Sequence, residues 1–463
     1  MIKRVLNSGK RFYSSYLRLI KDEKYEQPKP KKDDNIIIAM SSGVDSSVAA
    51  AIFSREYKNV KGIFMANWSS DAKCTEADWK DVQKVCNHIN IPCERVNFEK
   101  EYWIDVFEPM IASYRKGLTP NPDVNCNRYV KFGKMIEHLN KKLGETNDNW
   151  WLVTGHYSRI VKDKFSGEYE LLRSEYLPKD QSFYLSTLPR DSLKRLILPL
   201  GYYTKPDVRK LAHQFELPTS EKPDSQGLCF VSQTGHFRDF LNEYIKARPG
   251  NIVTEDGKIW GKHNGLWHAT IGQRSGVSMP QGDPNYQGVW FVSDKLIDSN
   301  EIVIVKGSKN PKLYRDLVTI TNWKWFGAMT YSKLPNIENL TVQYRTLQEP
   351  IKLKNFELVK KIDRSTDLKL DDISDNEMSL PVESDSVMIK VQLDRPYRGI
   401  APGQNMVLYD GERVLGSGEI SKTGSSSSFG NSSDSSSGSL SGSLSGGSPI
   451  TSPNRSTSIS SGN

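Results

Sequence analysis

Ile36-Ile37-Ile38-Ala39-Met40-Ser41-Ser42-Gly43-Val44-Asp45-Ser46-Ser47-Val48 is the stretch that decides the fold of this 463-residue chain. A β-branched run stops at small and hydroxyl residues, and a helical pattern follows in Val48-Ala49-Ala50-Ala51-Ile52-Phe53. Strand, tight loop and helix start gather free backbone N–H groups at the positive end of a helix dipole, which suits an anion such as phosphate. Gly43 lets the backbone come close to a ligand, and the serine hydroxyls add donors.

No Lys-Ser/Thr pair follows the glycine, so this is not a Walker-type loop. Ser-x-Gly-x-Asp-Ser-Ser resembles the pyrophosphate loop of the ATP pyrophosphatases, with Ser42 where that family usually has its first glycine. The bland alternative is a polar turn capping a core helix.

Working outward, strand patterns at Asn35–Met40, 60–67, 93–98 and 150–156 alternate with helical patterns at 47–57, 75–90, 102–115 and 131–143. That alternation predicts an α/β domain with a mostly parallel sheet covered on both faces, and ligands at the carboxyl ends of its strands. Thr204 reads as the N-cap of a further helix, with Asp207 in its first turn. From about residue 250, short β-branched and aromatic runs separated by Asp256-Gly257, Asn264-Gly265 and Asp410-Gly411 point to β structure. The expected organisation is a presequence and linker at 1–30 and an ATP-pyrophosphatase catalytic domain at 35–225. A central domain at 226–305 and a C-terminal β-barrel at 306–422 follow, with an acidic insertion at about 362–385. The Ser-rich stretch 424–463 is expected to be a solvated tail.

Residues 1–21 carry no acidic side chain, and a helical wheel puts Ile2, Val5, Leu6, Phe12, Tyr13, Tyr16, Leu17 and Ile20 opposite Lys3, Arg4, Lys10, Arg11, Arg18 and Lys21. That pattern predicts a mitochondrial presequence, hence a matrix location; a basic surface helix or a nucleic-acid-binding arm is the alternative. Residues 1–30 hold eight Lys/Arg and three Asp/Glu, so +5 of the formal +8 lies there and only +3 remains. Bulk charge is therefore weak evidence for nucleic-acid binding, and an RNA surface has to come from a local patch. Mean hydropathy is −0.56. No apolar run approaches the ~20 residues that span a bilayer, so no membrane partner is expected.

Of five cysteines, Cys74, Cys86, Cys93, Cys126 and Cys229, none forms Cys-x-x-Cys, and no metal site is expected from spacing. Cys126 follows Thr119-Pro120-Asn121-Pro122-Asp123-Val124-Asn125, a stiff approach with helix signals from Lys131. This reads as a rigid loop near a helix start, where a thiolate is favoured. Cys229 follows the turn in Asp224-Ser225-Gln226-Gly227-Leu228. On residues alone each lone cysteine is more often an inert buried thiol.

Several segments together resemble the tRNA-specific 2-thiouridylases. They are Asn121-Pro122-Asp123-Val124-Asn125-Cys126-Asn127, Thr154-Gly155-His156-Tyr157, Lys179-Asp180-Gln181-Ser182, Asp224 to Phe230, Gly62 to Trp68, Ala401-Pro402-Gly403-Gln404 and Tyr409-Asp410-Gly411. The resemblance covers about residues 35–420 and, with the presequence, suggests the mitochondrial branch. It implies that Ala39, Met40, Ser41, Ser42, Gly43, Val44, Asp45, Ser46, Met65 and Gly155 bind ATP, used with Mg²⁺. It implies that Asn121, Pro122 and Asp123 meet the target uridine. His156, Lys179, Asp180, Gln181, Tyr344, Arg345 and Gln404 would contact tRNA. Cys126 matches the nucleophile, Cys229 the persulfide carrier, and Asp123 is placed to handle a proton. The implied reaction is ATP-dependent sulfur transfer to C2 of the wobble uridine through an adenylated base, with a cysteine desulfurase system as sulfur source and a monomer as the default state. Cys74, Cys86 and Cys93 match no catalytic position and read as core or surface thiols.

Three other readings stand beside it. A small-molecule ATP pyrophosphatase, such as an amide or guanidine synthetase, would share the loop without needing two cysteines. A non-catalytic tRNA-binding protein would need neither. An iron–sulfur cluster on Asp123, Cys126 and Cys229 is a less favoured form of the sulfur transfer.

Overall fold

The computed structural model describes residues 16–18, 22–68, 72–144, 149–224, 237–362 and 386–426. Cys229, the side chain of Cys74, residues 1–15 and 19–21 of the expected presequence, the expected insertion at 363–385 and the tail from 427 lie outside them. Everything below concerns the unit Met1–Ser425.

Five parallel strands form the N-terminal sheet, in the order Cys93–Asn97, Asn59–Ala66, Asn35–Met40, Trp150–Val153, Leu196–Ile197. The central run is apolar at consecutive positions because both faces are covered. Ile36, Ile38 and Met40 pack with Val48–Phe53 on one side, while Ile37 joins Tyr102, Phe107, Phe132 and Trp150 on the other. Chain order reverses between Asn35–Met40 and Trp150–Val153. That switch opens a crevice at the strands' carboxyl ends, and both the 41–46 loop and Thr154-Gly155-His156 lie on it.

A closed antiparallel barrel runs through Tyr314–Trp325, Ser386–Arg398, Ile351–Ile362, Leu340–Gln343, Asn405–Asp410 and Arg413–Gly424. Ile362 pairs with Ser386, so the two strands that flank the acidic stretch are adjacent. A separate four-stranded sheet, Ile259–His263, Gly250–Thr254, Glu301–Lys306 and Trp290–Leu296, lies between the two in sequence. The hairpin Arg159–Asp163/Tyr169–Leu172 extends the barrel sheet through Leu172 and Arg413, so N-terminal chain contributes to it.

The described residues of the expected presequence and linker make contacts, and one expected helix boundary needs correction. Tyr25–Glu26, read as linker, pairs with the strand Arg159–Asp163, and Tyr25 donates to Glu170 at 2.9 Å. Arg18 stacks on Tyr203 and pairs with Asp207 at 3.0 Å. The helix expected from Lys131 starts at Pro122 and runs through π-helical turns at Cys126–Lys134 into Met135–Leu143. Proline at the first helical position loses no hydrogen bond and presets φ, so Pro122 starts the helix rather than delaying it. Thr204 caps its helix as expected, accepting from the Asp207 N–H at 3.2 Å.

Candidate functional site

The phosphate loop is internally braced. Ser46 Oγ accepts from the Ser41 N–H at 3.1 Å, and Ser47 Oγ donates to the Gly43 carbonyl at 2.8 Å. No side chain caps the helix Val44–Glu56, so its first-turn N–H groups remain available to a ligand. Ser42 has φ +60° and is 3% exposed. A left-handed serine is strained, and its hydroxyl is anchored by donating to Asp78 at 2.6 Å.

Across the switch point, Gly155 touches this loop. A Cβ there would lie 2.7 Å from Ser46 N and 2.8 Å from Asp45 C. Backbone cannot yield as a flexible side chain can, so Gly155→Ala is expected to push the loop away and raise the KM for ATP by about tenfold. ATP-concentration dependence of pyrophosphate release checks this.

Asp45 accepts from Tyr157 OH at 2.8 Å and from Lys205 Nζ at 2.7 Å. Lys205, with its side chain 11% exposed, also reaches Asp224 at 2.8 Å. Burial and the neighbouring carboxylate push the Tyr157 phenol far above its usual range, so it remains a donor. Asp224 further meets Lys179 at 2.8 Å and Arg209 at 2.6 Å. Burial works against its ionised form, but Lys179 and Lys205 outweigh burial and hold its carboxyl well below the usual range. Lys205, at the start of the helix Lys205–Gln214, thus places an ammonium group beside the loop.

On the neighbouring helix, Asn121 stands at the cap, Pro122 and Asp123 in the first turn, and Cys126 is 4% exposed among Val124, Val130 and Phe132. Burial raises the Asp123 carboxyl, with Lys131 acting in the opposite sense. His156, beside Phe132 and within 2.8 Å of the Thr154 hydroxyl, is pushed down to about 3 by burial and then by Lys131. The imidazole is therefore neutral at physiological pH. Lys131, Asp123 and His156 thus share one electrostatic environment where helix and strand end meet.

The raised Asp123 carboxyl has a consequence for stability. Its neutral form is favoured by the fold, so this group's contribution to stability is greatest below the ordinary carboxylate pKa of ~3.9 and is lost as pH rises through the folded value. Asp123→Asn removes a charge the fold disfavours. It is expected to raise the melting temperature at pH 7 while lowering product formation, and thermal melts at pH 7 and pH 3 with parallel activity assays check both.

A cavity of about 420 Å³ lies where three regions meet, lined in part by Thr119, Asn121, Tyr184, Gln273, Arg345 and Gln404. Gln404 donates to the Thr119 carbonyl at 2.6 Å. Gly403, at φ +93°, would place a Cβ 2.6 Å from Thr119 N, so the barrel loop docks against the approach to Asn121. Tyr344 OH donates to the Arg398 carbonyl at 3.0 Å and Arg345 to Gly399 at 2.6 Å. Asn121, Tyr344, Arg345 and Gln404 are therefore brought together. Lys179 lies apart from them, on Asp224. Asp180 is 6% exposed and accepts from Ser174 N–H, Ser182 N–H and Ser182 Oγ, which occupy it inside the fold. Gln181 exchanges hydrogen bonds with the Tyr157 backbone at 2.9 and 2.8 Å. Met65 lies near the carboxyl end of its strand, half-buried against the core. Cys86 is buried beside Cys93 and its thiol is pushed up to about 12, chiefly by burial.

Lys205, Lys131, Tyr184, Asp78 and Lys222 escaped the reading of the sequence. Lys205 follows the N-cap Thr204 and carries no local signal beyond the start of that helix. Its contact with Asp45 spans 160 positions, and no local pattern signals that. Among the described residues no group of three or more His, Cys, Asp or Glu could hold a metal ion, and no helix is long and apolar enough to cross a membrane.

The tRNA methyl transferase HUP domain family matches residues 34–233, the tRNA methyl transferase PRC-barrel domain 238–306, and the aminomethyltransferase beta-barrel domain 375–420. The mitochondrial tRNA-specific 2-thiouridylase 1 of Saccharomyces cerevisiae is 48% identical over 440 residues, 91% of this chain and 98% of the yeast protein. The tRNA-specific 2-thiouridylase MnmA of Limosilactobacillus reuteri is 39% identical over 391 residues, 84% of this chain and 95% of its own length. That of Oceanobacillus iheyensis is 37% identical over 397 residues, 85% and 96% of the two chains.

Proposed function

The chain belongs to the tRNA-specific 2-thiouridylases, and from that premise we propose that it thiolates C2 of the wobble uridine in mitochondrial tRNAs. It is a tRNA sulfurtransferase. One observation supports the finer reading best: Thr154-Gly155-His156 places the phosphate loop and the helix carrying Asp123 and Cys126 on either side of one strand end.

MgATP is the activating substrate, its phosphates lying against the first-turn N–H groups of Val44–Glu56 with Lys205 nearby. Attack by the uridine C2 oxygen on the α-phosphorus releases pyrophosphate and makes AMP the leaving group. The terminal sulfur of a Cys229 persulfide then adds at C2 and AMP departs, leaving a C2–S–S–Cys229 link. The Cys126 thiolate attacks the Cys229 sulfur and the product sulfur leaves with the bond's electron pair. That gives 2-thiouridine and a Cys126–Cys229 disulfide, which an external dithiol reduces by two electrons. Asp123, with its neutral form favoured by burial, is suited to donate and recover a proton. To reach this site the base leaves its stack, and Asn121, Tyr344, Arg345 and Gln404 border the cavity that would receive the anticodon.

A cysteine desulfurase system supplies the persulfide, and the enzyme acts as a monomer in the matrix. Residues 1–21 are expected to carry a reporter into mitochondria, and acidic residues at Arg4 and Arg11 to block import; a cytosolic reporter overturns that location. The alternative form, a cluster on Asp123, Cys126 and Cys229, is separated from the persulfide relay by iron and sulfide analysis after anaerobic purification.

The deciding experiment supplies ATP, unmodified mitochondrial tRNA, and a desulfurase with ³⁵S-cysteine. Pyrophosphate release that depends on tRNA, with ³⁵S recovered in 2-thiouridine at the wobble position, is the expected result. Release that depends on an amide or nucleotide acceptor instead would point to a small-molecule synthetase.

A further inference from the structure

Two ties run from the phosphate loop to one short stretch of chain, residues 222–224. Lys222 Nζ donates to Ser42 Oγ at 3.0 Å, and also meets Asp78 and Asp81 at 3.1 Å each. Lys205 Nζ bridges Asp45 at 2.7 Å and Asp224 at 2.8 Å. Arg209 fixes the same stretch through its backbone, donating to the carbonyls of Ser220 at 2.9 Å and Lys222 at 2.6 Å, while its other nitrogen holds Asp224 at 2.6 Å. Asp224 opens the Asp-Ser-Gln-Gly-Leu-Cys-Phe motif, so this anchored stretch lies five positions before Cys229.

The arrangement is more than a local turn. Ser42 occupies a left-handed backbone position that favours glycine, and a glycine there would relieve the strain but remove the hydroxyl that Asp78 and Lys222 hold. Lys205 is largely buried between two carboxylates belonging to different parts of the chain. A polyphosphate entering the loop is an anion of higher charge than either carboxylate, so it competes for Lys205 and alters the pull on Asp224.

We infer that Lys205 and Lys222 are positioning residues that couple activation of the base to delivery of sulfur, by fastening the root of the Cys229 motif to the phosphate loop. The inference rests on the proposed role of Cys229 as sulfur carrier. Neither lysine takes part in the sulfur chemistry; both act through the placement of residues 222–224.

The test compares pyrophosphate released with 2-thiouridine formed in the full-length protein, using tRNA, ATP, a cysteine desulfurase and cysteine. Lys222→Gln removes the charge that joins Ser42, Asp78 and Asp81, and Lys222→Arg retains it. Because misplacement by ~1 Å can cost a reaction ~10²-fold, Lys222→Gln is expected to lose at least about tenfold in thiolation and to raise pyrophosphate released per thiouridine by about the same factor, with Lys222→Arg restoring the wild-type ratio. Asp224→Asn is a second variant, should Lys222→Gln fail to fold by circular dichroism; it is expected to raise the ratio in the same direction. A wild-type ratio in the folded variant overturns the inference, whether both rates fall together or neither falls. Cys229→Ser is run alongside. Thiolation by that variant overturns the assignment of Cys229, and the inference with it, whatever the Lys222→Gln ratio; absent thiolation with an unchanged ratio overturns the coupling alone.

Discussion

Serine in place of either Cys126 or Cys229 is expected to reduce 2-thiouridine formation to background while leaving tRNA affinity within about twofold, because phosphate contacts supply most of that affinity. The two variants should differ in what remains on the protein. Cys229→Ser should carry no sulfane sulfur after incubation with the desulfurase and ³⁵S-cysteine. Cys126→Ser should still hold it on Cys229, because the acceptor sulfur is intact and only the step that frees the product is lost. Tryptic mapping of the label reads this directly. Burial of Cys126 among Val124, Val130 and Phe132 makes serine there a polar group in an apolar setting, so Cys126→Ala is the companion that separates lost chemistry from lost packing. Wild-type thiolation by either single serine variant would remove the two-cysteine relay.

Asp45→Ala is expected to cut tRNA-dependent pyrophosphate release by about 10²–10³, the scale seen when one preorganised electrostatic group is removed from an active site. The side chain also holds Tyr157 OH and Lys205 Nζ, so alanine leaves the Tyr157 hydroxyl without that acceptor and Lys205 with Asp224, at a cost of about 1–3 kcal/mol in stability. Asp45→Asn keeps an acceptor oxygen and removes only the charge. It should lie much nearer wild type in thermal melting yet remain deficient in pyrophosphate release. Release at the normal rate by either variant would show that this loop does not serve the triphosphate.

How much of this was legible beforehand differs by element. The run Ile36–Met40 announced a strand covered on both faces, because a purely apolar stretch of that length has no solvent side. The switch from β-branched residues to small hydroxyl residues announced the loop, and Thr204 announced its helix. These are local facts, carried by neighbours in sequence. The helix at Pro122 was read nine residues late because Pro120 and Pro122 look like breakers; only the backbone shows that Pro122 sits at a first helical position, where the missing N–H is no loss.

What the sequence determined by itself is therefore the parallel-sheet domain, the tight loop between its central strand and first helix, and the family, each carried by short contiguous patterns. What the tertiary structure decided is which distant groups complete that loop. A Cβ on Gly155 would run into Ser46, and Lys205 brings its ammonium group to Asp45. Those pairings join chain positions 109 and 160 residues apart. Charge and packing act through space, so a pattern read along the chain identifies the loop but not the groups that folding brings to it.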